Sequence, residues 1–93
     1  MKDLDGLCAR LRELREARGW SQEEAGARLR DMKGWPEADR IIRGLENPLT
    51  AMLYYMPMEL YYVAELYAEP DDPADLYREL CVLAGHLVPR KAP

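Results

Sequence analysis

One run of twelve residues, "RGWSQEEAGARL" from Arg18 to Leu29, constrains this chain more than any other, because it stops one helix and starts another with almost no chain between. Gly19 stands where a helix ends in a left-handed residue. Two positions on, Ser21 is an N-cap whose hydroxyl can accept from the backbone of Glu24, and Glu24 completes a capping box. Trp20, just outside the cap, is placed to pack on Ala25 as a hydrophobic staple. The interior glycine, Gly26, costs about 1 kcal/mol of helix propensity relative to alanine. That cost makes sense where a second backbone must come close.

The rest of the chain reads as helices divided by proline and glycine. Leu7, Leu11 and Leu14 recur at spacings of four and three and define one apolar face before Gly19. The second helix is predicted from Gln22 to about Arg30, followed by a loop "DMKG". Trp35-Pro36 opens a third helix, with Pro36 at its first position, where a missing N–H costs nothing. Ala38, Ile41 and Ile42 face inward, Glu37, Asp39, Arg40 and Arg43 face outward, and Gly44 closes the helix. A connector "LENPLT" leads to a Tyr/Met-rich region that Pro57 divides into a short helix or turn and a firmer helix over residues 57–68. Asp72 caps the last helix, Pro73 begins it, and Leu76, Leu80, Leu83, Ala84 and Leu87 form its apolar stripe. "PRKAP" reads as a frayed tail. Strand periodicity is missing, so the expected fold is all-α, a single small domain over residues 1–93 with five to six helices.

Chemistry-bearing motifs are sparse. The two cysteines, Cys8 and Cys81, lack metal-ligand spacing and read as buried thiols in a reducing cytoplasm. The single histidine, His86, has no ligand or catalytic partner at a useful spacing. No phosphate loop or nucleophile motif is present, so neither an enzyme, a cofactor nor a metal is expected. No apolar run approaches the ~20 residues of a membrane span, and the acidic start "MKDLD" does not read as a signal peptide. Net charge is −4 over 93 residues, but it is unevenly placed. Residues 9–44 hold nine basic and seven acidic groups, whereas residues 45–85 hold Arg78 against eight acids. Only the first half is suited to a polyanion.

The run "LRELREARGWSQEEAGARL … ADRIIRGLENP" resembles the Xre/Cro family of lambda-repressor-like helix-turn-helix domains. The features that carry the resemblance are the Leu/Arg-rich first helix, Gly19 with a large apolar neighbour, "SQEE", the small Gly26, the Ile-x-Arg-Gly ending at Gly44, and Pro48. They cover about residues 7–66. The resemblance implies a helix-turn-helix core at 7–48, followed by the Tyr/Met-rich helices at 49–88 and the tail at 89–93. It further implies a cytoplasmic DNA-binding transcription regulator, such as a repressor, acting as a homodimer on an inverted repeat in double-stranded DNA, with the third helix in the major groove. By position, Gln22 would meet a phosphate, Trp35, Pro36 and Arg40 would fall where the family reads bases, and Lys33 and Arg43 would contact phosphates. Arg28 would extend the basic strip. On the residues themselves, Arg40 is the competent base reader of the third helix, best matched to guanine, while Glu37 and Asp39 would repel phosphate.

Tyr54, Tyr55, Met56, Met58, Tyr61, Tyr62 and Tyr67 are more large side chains than so small a core readily encloses. Tyrosine and methionine are enriched at interfaces. An interface is therefore expected on Tyr54, Tyr55, Met58, Tyr61 and Tyr62, joined by Leu80 and Leu83 of the last helix. The same acidic, Tyr/Met-rich half supports an alternative reading. In it the scaffold is a protein-binding module, antitoxin-, antirepressor- or polymerase-binding-like, with a protein partner in place of DNA.

Overall fold

A computed structural model describes residues 4–86. The leading residues, Leu87 of the last apolar stripe and the tail at 89–93 lie outside the described residues. Within them the chain forms α1 (Asp5–Ala17), α2 (Gln22–Lys33), α3 (Ala38–Glu46), a single 3₁₀ turn (Ala51–Leu53), α4 (Pro57–Ala68) and α5 (Ala74–Ala84). No strand occurs among the described residues. The fold is all-α, as expected, and measures 30 × 29 × 24 Å.

The local signals act where the sequence places them. Leu7, Leu11 and Leu14 are buried on one face of α1. Gly19 takes φ +71°, and its N–H donates to the Glu16 carbonyl at 2.9 Å. The Ser21 Oγ accepts from the Glu24 N–H at 3.0 Å, so the capping box is formed on its serine side. Pro57 is the first residue of α4. The last helix begins one residue later than expected: α5 starts at Ala74 with Pro73 at the cap position, and the Asp72 carboxylate just before it accepts from the Ala74 N–H at 3.0 Å.

Three further boundaries differ from expectation. First, α2 does not stop at Arg30. It continues to Lys33 and ends on Gly34 at φ +63°, whose N–H reaches the Arg30 carbonyl. The apparent loop "DMKG" is therefore a helical turn with its glycine cap, and only Gly34–Glu37 separates α2 from α3. Second, α3 starts at Ala38, two residues after Pro36. The Ala38 N–H donates to the Trp35 carbonyl, so Trp35-Pro36 forms the turn and not the first helical residues. Third, Gly44 does not end α3. It is buried inside the helix, and a Cβ there would overlap the ring of Tyr54. The stop comes at Asn47, whose side chain accepts from Leu49 N–H while the Thr50 hydroxyl donates to the Gly44 carbonyl at 2.9 Å.

The core is one cluster fed by all five helices, with Leu7, Leu11, Leu29, Ile42, Leu45, Leu60, Leu80 and the two rings Tyr67 and Tyr77 at its centre. Cys8 and Cys81 are free and buried within it. Burial pushes both thiols up from their ordinary value, which disfavours the reactive thiolate. Among the described residues no helix is long and apolar enough to cross a membrane.

Candidate nucleic-acid interface

Packing between α2 and α3 defines the candidate site. A Cβ on Gly26 would lie 2.9 Å from the Asp39 Cα and would overlap the Asp39 carboxylate. The glycine thus lets the start of α3 press directly on α2, which is the close backbone approach its sequence position called for. Behind this contact lies a buried ion pair. Arg15 Nε donates to Glu46 Oε2 at 2.7 Å and Arg15 Nη2 to Glu46 Oε1 at 2.9 Å, with Glu46 only 3% exposed. A further Arg15 N–H meets the Trp20 carbonyl at 2.9 Å, and the Gln22 amide donates to Glu46 at 3.2 Å. The network ties α1, the α1–α2 turn, α2 and the end of α3 together. The hydrogen bonds that Arg15 donates to Glu46 raise its pKa further, so its charge is permanent.

That network redefines several sequence-predicted contacts. Gln22, expected at a phosphate, is half-buried and engaged with Glu46. Arg28 lies 4.4 Å above the Trp20 ring and bonds Glu24 at 3.0 Å. Lys33 reaches Glu65 of α4 at 2.5 Å and lies 4.8 Å from the Tyr62 ring centre. Trp35 packs edge-on against Tyr62 at 5.2 Å, joining the turn to α4. Asp39, expected on the outward face, turns toward α2. One of its oxygens is buried and the other lies 3.4 Å from Arg30.

Arg40 and Arg43 remain on the open side of α3. Both are exposed. Arg40 has a loose ion pair with Glu37 at 3.9 Å, with both side chains more than 60% exposed, a kind of contact worth about 0–1 kcal/mol. No ion pair involves Arg43 among the described residues. The two arginines line a groove of about 550 Å³ together with both carboxylates of the α3 start, Glu37 and Asp39, and with Pro36, Gly44, Asn47, Thr50 and Tyr54. The outer edge of α3 thus carries two cations, Arg40 and Arg43, beside two carboxylates, Glu37 and Asp39, the second of them 36% exposed and ion-paired with Arg30.

The expected interface also divides. Leu80 is fully buried in the chain's own core and is unavailable to a partner; Leu83 is half-buried against that core. Tyr61 packs edge-on to Tyr77 at 5.3 Å and Tyr62 on Trp35 at 5.2 Å. Tyr55 stacks on His86 at 4.9 Å while its carbonyl meets His86 Nε2 at 2.7 Å, and Tyr54 lies against Gly44. Four tyrosines thus have internal partners. Of the expected interface residues Met58 stays open, 54% exposed, as does Met56 of the same Tyr/Met-rich stretch, and both belong to a strip whose other members, Leu49, Met52 and Leu53, the sequence reading did not single out, each more than half exposed. A signal for it did exist, since Asn47 to Met58 contains no charged residue in a chain that is 32% charged.

No metal-binding cluster of His, Cys, Asp and Glu occurs among the described residues. No family model, no curated protein and no solved structure matches the chain.

Proposed function

We propose that this chain is a small DNA-binding regulator that sets α3 into the major groove, two copies acting together on an inverted repeat. The observation that carries the reading is the outer edge of α3. There Arg40 and Arg43 stand exposed, three residues apart on one helix face, while the nearest inner carboxylate, Asp39, is turned to Arg30. A helix of 9 residues is about 13 Å long and its width suits the B-DNA major groove. Arg40, in the first turn of α3, is positioned for the edge of a guanine, and Arg43, one turn on, for a phosphate. The pair Arg28–Glu24 is exposed and weak enough to open for a phosphate; Lys33, held by Glu65 and Tyr62, is not assigned to the contact.

The test is a fluorescence-anisotropy titration with duplexes selected from a random pool, run over a range of salt. Affinity is expected to fall as salt rises, and Arg43→Ala to reduce the slope of log K against log salt by about one per copy. Arg40→Ala is expected to lose about 1–3 kcal/mol of discrimination at one base pair. If no duplex binds with salt sensitivity even at ~50 mM ionic strength, the reading fails, since phosphate contacts release counterions. The alternative then stands, a helix-turn-helix scaffold used as a protein-binding module. The engagement of Gln22 with Glu46 and of Lys33 with Glu65 inside the chain favours it.

A further inference from the structure

We infer that Glu65, on α4, is a positioning residue for the duplex contact: it holds the Lys33 ammonium back from the phosphate backbone, and so sets the affinity and the salt dependence of binding. The inference rests on the DNA-binding reading above and adds a restraint supplied from outside α2 and α3.

The geometry holds one cation from two sides. Lys33 is the last residue of α2. Its Nζ lies 2.5 Å from Glu65 Oε1 and 4.8 Å from the Tyr62 ring centre. Tyr62 and Glu65 stand three residues apart on α4 and so share one helix face. Tyr62 is itself fixed by Trp35, edge-on at 5.2 Å. The Lys33 and Glu65 side chains are each 25% exposed, so salt and water screen the pair less than a fully exposed one. Glu65 Oε1 is buried and has no hydrogen-bond partner among the described residues beyond this ion pair. Withdrawal of Lys33 would leave that oxygen's charge uncompensated, which keeps the ammonium in place.

Position gives the pair its consequence. Lys33 and Arg40 flank the turn Gly34–Glu37 that leads into α3. In a helix-turn-helix on DNA the start of the second helix meets base edges while the first helix crosses the backbone. That geometry sets the intervening turn beside the phosphates. A lysine there, with its flexible stem, suits a phosphate oxygen. Glu65 offers the same cation a carboxylate oxygen first. Among the described residues it is the only carboxylate of α4 or α5 paired with a cation of α2 or α3. Arg28 makes the contrast. Its pair with Glu24 lies within one helix, with side chains 52% and 46% exposed. Opening that pair strands no buried charge, so a duplex can recruit Arg28 where it cannot recruit Lys33.

The experiment is the anisotropy titration over the same salt range with a selected duplex, using the parent, Glu65→Gln, Lys33→Ala and Lys33→Ala/Glu65→Gln. Asp71→Asn, an exposed carboxylate between α4 and α5, controls for the loss of any one negative charge. Glu65→Gln should bind several-fold tighter at ~50 mM salt and steepen the slope of log K against log salt by about one per copy. Lys33→Ala and Asp71→Asn should keep the parent's slope, and the double variant should lose the gain. Lys33 is one of three lysines, so its side-chain NMR signal is readily assigned. The duplex should leave that signal in place in the parent and shift it in Glu65→Gln, which loosening of α4 alone would not do. A folded Glu65→Gln with the parent's slope overturns the inference and leaves the pair as a structural tie. A steeper slope in Asp71→Asn overturns it too, since the gain is then general. If Glu65→Gln fails to fold by circular dichroism, the parent still decides. A Lys33 signal that moves on duplex addition, or a shallower slope in Lys33→Ala, makes Lys33 a direct contact and overturns the inference. If neither the parent nor Glu65→Gln binds any duplex, the DNA-binding reading fails and takes this one with it; failure of the inference alone leaves the parent's binding intact.

Discussion

Gly26 is a residue whose role a single atom tests. The start of α3 lies so close to it that an added Cβ would meet the Asp39 backbone at 2.9 Å. Backbone cannot swing aside as a flexible side chain can. Gly26→Ala gains about 1 kcal/mol of helix propensity but must separate α2 from α3, and overpacking of this kind costs about 1–3 kcal/mol. The expected outcome is a net loss of stability in urea unfolding, together with weaker duplex binding as α3 shifts. A variant as stable as the parent would show that the two helices can part freely. Gly44 repeats the logic at the other end of α3, where the obstacle is the Tyr54 ring. Each glycine is thus explained by its neighbour across space, and the run "IIRG" was misread as a stop because a glycine stop and a glycine contact look alike in one dimension.

Among the elements, α3 shows how packing rather than capping can hold a helix in place. It has no side-chain N-cap, and its position comes from burial of Ala38, Ile41, Ile42 and Leu45 and from Glu46 held by Arg15. The side chains of that pair are 11% and 2% exposed. Removing one partner leaves the other charge buried and unpaired, which costs about 3–5 kcal/mol, whereas replacing both by apolar residues of similar volume is often nearly neutral. Glu46→Ala should therefore destabilise strongly in denaturant titration, and Arg15→Met with Glu46→Leu should recover much of the loss. Equal losses in the single and double variants would instead assign the effect to packing around Leu45. The pair also removes Gln22 from the expected DNA contacts, since its amide is committed to Glu46.

At the scale of the whole molecule, burial makes stability depend on alkaline pH. Tyr67 is 1% exposed and Tyr77 2%. Burial raises both phenols, with the Glu46 charge adding to the effect at Tyr67 and the Cys81 thiol at Tyr77, which is pushed up to about 12. In the unfolded chain both titrate near pH 10. Raised acids contribute stability that is complete below the unfolded value and lost as pH rises through the folded one, because the unfolded state then binds fewer protons. The urea midpoint should fall from about pH 10 upward. The Tyr67 hydroxyl has no hydrogen-bond partner among the described residues, so Tyr67→Phe should be close to neutral at pH 7 and flatten the alkaline decline. A decline as steep in Tyr67→Phe as in the parent would exclude this phenol as a source.

The helical class, the capping box at Ser21 and the start of α4 at Pro57 were all readable in sequence, because each depends on residues within one or two turns of chain. Even the close approach at Gly26 was legible as a need, though not its partner. What sequence could not supply was the destination of long side chains. Lys33 meets Glu65, Trp35 meets Tyr62, and Asp39 folds toward Arg30 only because α2, α3 and α4 converge there. The tyrosines are drawn inward by the same convergence, which leaves Leu49, Met52, Leu53, Met56 and Met58 outside. Local chemistry determined the helical class and the starts of α2 and α4. Only tertiary packing decided which arginines stay free and which apolar surface stays open, because those outcomes depend on atoms distant in the chain that meet only when the core closes.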